Sequence, residues 1–382
     1  MTRKSEILTI ALFCSFLAIF SALFLFMPDK IFSEQENRDL QQFPGLTAES
    51  FFSGEFASEM NVYFADQFPL RNLFVKLKGG LEIALLKEEN NGVLYKNDQL
   101  AVKDFKVYQS LGKTQTTDRI YPELIQAQLS SVNKLSQKLD IPVVTVIPPR
   151  TIDITDGDFY YDRPDGDTAF DVMKETLLPE SGYVDALSLL RSKHENGEYV
   201  YYRTDHHWTT LGAYYVYCEI MAELGCEDKI IPIDEFEIEQ ISSYSGTTAA
   251  KGSFPFYEKD ILEIWKTDSR DFEVIIDGER QESFYNREHL DEADKYSVFL
   301  DGTHDVTEIR KSGQDRKTLV IAKDSFANCL IPFLSEEFDI VALNLNSISS
   351  VSVYAERYEA DALLIVYNLE NIITTTSLSK IK

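Results

Sequence analysis

Two short segments of the chain combine residue types that could carry out nucleophilic chemistry. The first reads Asp205-His206-His207-Trp208 and places two of the five histidines of the chain directly after an aspartate. In extended backbone, residues two apart point the same way, so Asp205 and His207 are expected to share a face while His206 points away. A carboxylate can fix the tautomer of an imidazole and stabilise its protonated form, so this pair is a candidate general base.

The second segment is Lys323-Asp324-Ser325-Phe326, which follows an apolar strand pattern and opens a predicted helix. A serine in this place would project from the end of a sheet. The start of the helix would offer backbone N–H groups and a positive dipole to a developing oxyanion. Ser325 is therefore the candidate nucleophile, and nucleophile and base would come from different strand ends.

Other interpretations of the two segments remain open. Asp324 or Ser325 could serve only as a helix N-cap, which is a common role for both residue types. The histidine segment could be a hydrogen-bonded loop or a metal site, but a metal would need a further ligand such as His304, and the sequence fixes none. Acid–base chemistry by a pair of carboxylates is a further alternative, because the chain contains 63 acidic residues. We expect neither a metal nor an organic cofactor.

The pattern of apolar residues predicts alternating helices and strands around these segments. A helix over 117–139 precedes an apolar strand over 141–147. After a gap the pattern returns, with strands at 318–322, 340–343 and 362–366 and helices at 325–334 and 350–358. Such alternation is typical of a parallel sheet flanked by helices, with its site at the carboxyl ends of the strands. We predict an α/β domain over 101–382 that carries an inserted β-rich region at about 226–316. Thr209 is expected to cap a helix that runs to Leu224.

The N-terminal segment Ile7–Met27 has no charged residue. A helix of this length spans a hydrocarbon core of roughly 30 Å. Arg3 and Lys4 precede it, which predicts that the N-terminus lies inside the cell. A cleaved signal peptide is the alternative, although Phe24 and its apolar neighbours stand where small residues would mark a cleavage site. We therefore expect an uncleaved, single-pass anchor over 1–28, a lead-in segment over 29–100, and the remaining chain outside the cytoplasm.

The composition excludes some classes of function. The formal net charge is −26, from 63 acidic and 37 basic residues. A nucleic-acid-binding protein needs a basic surface, so no nucleic-acid partner is expected. The four cysteines show no CxxC or Cys/His zinc spacing and are expected to be free thiols.

The segment Tyr202–Tyr214, which contains the Asp-His-His-Trp run, resembles the signature of the DHHW proteins of Gram-positive bacteria. Further segments agree with that family: Glu36-Asn37-Arg38, Ser53–Phe56, Asp66–Arg71, Asn91-Gly92-Val93 and Lys323–Ala327. The family is similar to the periplasmic proteins that O-acetylate alginate. Those proteins have an SGNH-hydrolase-like fold in which an Asp-x-His pair precedes the serine along the chain.

The resemblance implies a Ser-His-Asp site in which Asp205 orients His207, His207 is the base and Ser325 is the nucleophile. It also implies one N-terminal membrane helix, a membrane-bound O-acyltransferase as partner, and acetyl transfer or ester hydrolysis on a cell-surface or exported polysaccharide. The alternative is a non-catalytic glycan-binding or scaffold protein of a polysaccharide-modification complex.

The oxyanion donors are less clearly marked. Lys323 stands where SGNH enzymes usually carry glycine before the Asp-Ser pair. The candidates for oxyanion or substrate contacts are Arg150, which follows two prolines, the loop residues Ser245 and Gly246, and Phe326, which follows the serine.

Overall fold

A computed structural model describes residues 3–33, 38–109, 113–117, 119–155, 159, 168–268, 271–312 and 316–382. Two residues of the resemblance, Glu36 and Asn37, lie outside this described part. The chain divides into two compact units. One is Met1–Lys87 with Ser253–Phe256, and the other is Glu88–Gly252 with Tyr257–Lys382. All candidate site residues belong to the second unit.

The first unit contains the expected apolar helix near the N-terminus. Within it, Ser5–Phe26 has a mean hydropathy of 2.5 and none of it is buried, so it is long and apolar enough to cross a membrane. Its described elements are α1 (Arg3–Phe26), β1 (Phe32–Ser33), β2 (Arg38–Asp39), α2 (Ala48–Ser53), α3 (Glu55–Asp66) and α4 (Arg71–Ala84). The two short strands pair in antiparallel fashion.

The second unit is built on an eight-stranded sheet, accompanied by smaller two- and three-stranded sheets. The smaller sheets are formed by β3 (Glu89–Asn90), β4 (Val93–Lys96), β5 (Gln99–Val102), β6 (Phe105–Gln109), β7 (Lys113–Thr117), β10 (Glu237–Tyr244) and β11 (Asp260–Lys266). The large sheet contains β8 (Val143–Val146), β9 (Tyr183–Val184), β12 (Phe272–Ile276), β13 (Glu279–Gln281), β14 (Val306–Lys311), β15 (Thr318–Lys323), β16 (Asp339–Asn344) and β17 (Ala362–Val366). Its strand order is β13-β12-β14-β16-β15-β17-β8-β9.

Five neighbouring strands, β16, β15, β17, β8 and β9, run parallel. The first four were predicted from their continuous apolar pattern, whereas the two-residue strand β9 was not. Such strands are buried because helices cover both faces of the sheet. In the register, Lys323 at the end of β15 lies between Asn344 of β16 and Val366 of β17. The residues that follow these three strands therefore emerge at one edge of the sheet.

The helices of the second unit are α5 (Pro122–Lys138), α6 (Thr151–Thr155), α7 (Thr168–Thr176), α8 (Ala186–Glu195), α9 (Thr210–Glu223), α10 (Thr247–Gly252), α11 (Ile331–Leu334), α12 (Val351–Arg357) and α13 (Leu369–Thr374). The predicted cap of α9 is confirmed, because the Thr209 hydroxyl accepts the Gly212 N–H. Gly225 follows the helix with a positive φ of 67°, which glycine adopts without strain.

The described part of the region 226–316 is rich in β-strands, as predicted, and its two parts pair in different places. Its first part forms the antiparallel β10–β11 pair. Its second part, β12 to β14, joins the main sheet in antiparallel fashion beside β16. Strands that extend a sheet bury one face only, and β14 accordingly alternates between buried and more exposed positions.

The single helix predicted over 325–334 is also divided. Ser325–Cys329 form a 3₁₀ helix and the α-helical turn begins only at Ile331. Pro332 lies in the first turn of α11 and has no N–H to donate, so an α-helix cannot continue through it. The nucleophile candidate therefore opens a tight turn rather than a long helix.

Candidate active site

Backbone pairing joins the two ends of the loop that carries the Asp-His-His run. Tyr201 and Trp208 form an isolated antiparallel bridge, and the Thr209 N–H donates to the Val200 carbonyl at 2.9 Å. The residues between bend sharply instead of running extended. The indole N–H of the buried Trp208 donates to the Phe326 carbonyl at 3.1 Å, which ties this loop to the turn after β15.

The structure brings the three candidate triad side chains into hydrogen-bond contact. His207 Nδ1 lies 2.6 Å from Asp205 Oδ1, and His207 Nε2 lies 2.8 Å from Ser325 Oγ. Asp205 and His207 are buried, whereas Ser325 is partly exposed. This linear order of carboxylate, imidazole and hydroxyl is the geometry that activates a serine.

The expectation for His206 was wrong. Its ring does not point away from His207 but lies against it, with ring centroids 3.9 Å apart. The reason is the bent backbone of the loop, since the alternation of side chains holds only in extended chain. His206 Nδ1 lies 2.7 Å from the Thr247 hydroxyl oxygen.

Asp205 is held by donors on both of its oxygens. Oδ1 accepts the His207 backbone N–H at 3.0 Å, while Oδ2 accepts the Thr247 N–H at 2.8 Å and the Thr247 hydroxyl at 3.0 Å. Burial alone would raise the pKa of this carboxyl, but the two histidines and these hydrogen bonds hold the pKa well below its usual range. Asp205 is therefore ionised at neutral pH.

The environment of His207 favours its neutral form. Burial lowers its pKa, and so does repulsion from His206 when that ring carries a second proton; Asp205 opposes both effects, and the result is a pKa of about 4. With its Nδ1 proton donated to Asp205, neutral His207 presents an unprotonated Nε2 to Ser325. The Tyr296 ring stacks on the imidazole at 3.8 Å and 7°, and the Tyr296 hydroxyl donates to Cys329 Sγ at 3.1 Å.

Ser325 opens into a polar cavity of about 350 Å³. This cavity is lined by Val102, His206, Thr247, Thr248, Lys251, Thr303, Asp324, Ser325, Asn346, Asn368, Glu370 and Asn371. A narrower cleft shares some of these residues and adds Pro149, Arg150, Thr151 and Phe326. A concave, mostly polar space beside the serine could accept a small hydrophilic group.

The candidates for oxyanion contacts lie near the site, but their donors are engaged elsewhere. The Phe326 N–H donates to Asp324 Oδ1 at 3.0 Å, and the Gly246 N–H donates to the Thr204 hydroxyl at 3.1 Å. The Ser245 hydroxyl lies 2.8 Å from the Tyr257 hydroxyl. The buried Arg150 guanidinium forms two hydrogen bonds with Asp153, at 2.9 and 3.0 Å.

Gly246 has a different structural role. A Cβ atom at this position would lie 2.2 Å from Asp205 Oδ2 and 2.6 Å from its carboxyl carbon. No real side chain tolerates such a contact, so only glycine allows this backbone to pass over the carboxylate. The close approach brings the Thr247 N–H to Asp205.

Asn368 is a candidate that the sequence reasoning missed. Its backbone N–H donates to Asp324 Oδ2 at 2.6 Å, and its side-chain oxygen accepts the Asn371 N–H at 2.8 Å, which caps α13. That cap leaves the amide NH₂ as a donor, and the NH₂ makes no hydrogen bond within the described residues. Asn368 lines both cavities beside Ser325. Its position two residues after the apolar strand β17 was the available sequence signal.

Lys323, which stands in place of the usual glycine, turns away from the cavity. It is only 1% exposed, and its ammonium donates to the Asn328 side-chain oxygen at 2.6 Å. Asn328 in turn donates to the Gly302 carbonyl. Burial lowers the pKa of Lys323 to about 8. The lysine therefore stabilises the 3₁₀ turn through its contact with Asn328 and does not line the cavity beside Ser325.

A metal site here would use residues of the candidate triad, together with His206. Asp205, His206 and His207 are a group whose ligand atoms lie within 4.8 Å of one another. His304, the further ligand considered from the sequence, instead contacts Asp277 and Asp301. Both ring nitrogens of His207 are engaged by Asp205 and Ser325, and this arrangement favours proton transfer over metal binding at this imidazole.

Comparison with known proteins identifies relatives of the second unit. The model of a family described as "DHHW protein" matches residues 120–344. The protein named "Probable alginate O-acetylase AlgJ" from Pseudomonas syringae pv. tomato is 25% identical over 222 residues, covering 56% of this chain and 51% of that protein. The match thus spans about half the length of this relative.

Two solved structures share the fold. A DHHW family protein from Eubacterium siraeum aligns with a TM-score of 0.58 and 19% identity, covering 76% of this chain and 97% of that chain. Bacillus cereus PatB1 with a sulfonyl adduct aligns with a TM-score of 0.63 and 17% identity, covering 76% and 98%. At these identities the likeness establishes the fold alone.

The buried environment of His207 leads to a prediction about its titration. Because burial and His206 disfavour the imidazolium, we expect His207 to remain neutral at neutral pH and to take up a proton only near pH 4. Nuclear magnetic resonance of ¹⁵N-histidine-labelled protein measures this, with His207→Gln to assign the signal. A midpoint at or above the ordinary value of about 6.5 would contradict it.

Proposed function

This chain belongs to the DHHW family, and from that membership and the contact between Ser325 and His207 we propose an acyltransferase or esterase of cell-surface or exported polysaccharide. The observation that carries the proposal is the unbroken hydrogen-bond line from Asp205 through His207 to Ser325. The name of the matched relative, a probable alginate O-acetylase, supports acetyl as the acyl group and a glycan as the acceptor.

In the proposed first half-reaction, Ser325 Oγ attacks the carbonyl carbon of an acyl donor while its proton passes to His207 Nε2. The ionised Asp205 stabilises the imidazolium that forms. When the tetrahedral intermediate collapses, His207 returns the proton to the departing oxygen and the acyl group remains as an ester of Ser325.

In the second half-reaction, a hydroxyl of the acceptor gives its proton to His207 Nε2 and attacks the acyl-serine. Collapse transfers the acyl group to the acceptor oxygen and returns the proton to Ser325. Transfer to a sugar and hydrolysis by water follow the same steps and differ only in the acceptor.

We assign the oxyanion contacts to the Ser325 backbone N–H and the Asn368 amide. Ser325 opens the 3₁₀ helix, and its own N–H makes no hydrogen bond within the described residues. Asn368 lines the same cavity, and because its oxygen caps α13, its NH₂ is the group left to act as a donor there. Preorganised donors of this kind stabilise the charge that develops on the carbonyl oxygen.

Mutation of the nucleophile tests the proposal most directly. We expect Ser325→Ala to lower ester turnover by roughly 10⁴-fold or more, since the variant lacks the hydroxyl that is proposed to carry the acyl group. Release of nitrophenol from p-nitrophenyl acetate measures turnover, and mass spectrometry of the wild-type protein should find an added acetyl group on Ser325. Ser242→Ala, at an exposed position on β10, is the matched control. Unchanged turnover in Ser325→Ala, or glycan binding without any ester cleavage, would sink the proposal.

A second variant tests the oxyanion assignment. Asn368→Ser keeps an acceptor for the α13 cap but removes the amide donor. We expect kcat to fall roughly 10²- to 10³-fold, the usual loss for one oxyanion donor, while the melting temperature stays close to that of the wild type. A variant with normal kcat would exclude Asn368 from this role.

We further propose that α1 anchors the protein and that the second unit works outside the cytoplasm. The length and hydropathy of Ser5–Phe26 support anchoring, and Arg3 and Lys4 before it favour an inside N-terminus. A polysaccharide substrate and an acyl-supplying, membrane-bound acyltransferase are the partners that this placement suits.

Cysteine labelling on intact cells tests that topology. We expect a membrane-impermeant maleimide to label Ser242→Cys, which is exposed on β10, and to leave Ser5→Cys unlabelled until the membrane is permeabilised. The unsubstituted chain gives the background from its own cysteines. Labelling of Ser5→Cys alone on intact cells would reverse the proposed orientation.

A further inference from the structure

Asp205 contacts His207 directly and is connected to His206 through Thr247. Oδ1 contacts His207 Nδ1, as described above. Oδ2 accepts the hydroxyl of Thr247, and the same hydroxyl oxygen lies 2.7 Å from His206 Nδ1. A second chain of hydrogen bonds, from Asp205 through Thr247 to His206, thus runs beside the first.

The direction of this second chain fixes the tautomer of His206. A hydroxyl has one proton, and an ionised carboxylate can only accept, so the Thr247 proton is donated to Asp205 Oδ2. The Thr247 oxygen must then accept from His206 Nδ1–H. Neutral His206 consequently carries its proton on Nδ1 and a lone pair on Nε2.

The side chain of His206 is more exposed than that of His207. Its side chain is 34% exposed, against 6% for His207, and it lines the same cavity as Ser325. Its Nε2 makes no hydrogen bond within the described residues. The site therefore holds two adjacent imidazoles with ring centroids 3.9 Å apart: His207 Nε2 contacts Ser325, and the ring of His206, whose neutral form has an unprotonated Nε2, lines the same cavity.

The rest of the cavity wall suits a sugar. Thr303, Asn346 and Asn371 supply hydroxyl and amide groups, and Lys251 and Glu370 supply one charge of each sign. A volume of about 350 Å³ falls within the usual range for small-molecule sites.

We propose that His206 Nε2 accepts a hydrogen bond from a second hydroxyl of the acceptor sugar, adjacent to the hydroxyl that attacks. The attacking hydroxyl gives its proton to His207, and its neighbour is held by His206. The site thereby selects vicinal diols over water and simple alcohols as acceptors. This inference rests on the proposed acyl-serine at Ser325.

A competition between acceptors measures this selection. Full-length protein is given p-nitrophenyl acetate with equal concentrations of a methyl glycoside that carries a vicinal diol and of a simple alcohol. The acetylated products are quantified by mass spectrometry. We expect the wild type to favour the glycoside, and His206→Phe to lower the glycoside-to-alcohol ratio roughly three- to tenfold, the effect of one neutral hydrogen bond.

Two further variants separate a hydrogen-bonding role from a structural one. His206→Phe keeps a ring against His207 but has no acceptor, whereas His206→Gln restores an acceptor oxygen without a ring and should recover most of the ratio. If His206→Phe does not fold, Thr247→Val replaces it. Without the Thr247 hydroxyl, Nδ1 loses its partner, both tautomers are populated, and the ratio should also fall.

The outcomes distinguish the two proposals. An acetyl group on Ser325 with the same product ratio in wild type and variants would overturn the role of His206 and leave the proposed function intact. Absence of any acetyl group on Ser325 in the wild type would overturn both. An equal loss of both products would assign His206 a structural role and would also overturn the inference.

Discussion

The burial of one ionised carboxylate determines how the loops around the candidate site are arranged. An ionised group away from water is costly unless hydrogen bonds and opposite charge replace its hydration. Asp205 obtains that replacement from two residues in sequence-distant loops, His207 and Thr247. Satisfying one acid therefore brings together the Asp-His-His loop and the start of α10. The tautomers of both histidines follow from the same set of donors.

The central sheet supplies the other half of the site. Ser325 follows β15 and Asn368 follows β17, and these strands are parallel neighbours. Asp324 connects the two strand ends, because its carboxylate accepts the N–H groups of Phe326 and Asn368. The positions of the candidate nucleophile Ser325 and of Asn368 are thus fixed by backbone contacts. The candidate base, His207, lies in a separate loop that a hydrogen bond from Trp208 joins to the same turn.

Much of this arrangement was predictable because it depends on local pattern. The apolar runs of β8, β15, β16 and β17 identify buried parallel strands, and the residue types of Asp205, His207 and Ser325 made them candidates for one shared site. Contacts that close over long sequence distances were not predictable. The placement of His206 depends on a bend and on Thr247, forty-one residues away. The amide of Asn368 becomes available only because its oxygen caps α13. Likewise, the local sequence of β14 is that of a half-buried strand and does not indicate that it pairs with β16.

The glycine at position 246 is constrained in an unusual way. It is not among the glycines with positive φ, so close packing is what excludes a side chain: an added Cβ atom would lie 2.2 Å from Asp205 Oδ2 and 2.3 Å from Asp205 Cβ. Because the Cβ atom of residue 205 is part of the obstacle, loss of the acid alone would not make room for a side chain at position 246. In a descendant that had lost the aspartate but kept this path of the backbone, the glycine would still be required. A larger residue at 246 would therefore mark a lineage in which these two loops no longer meet.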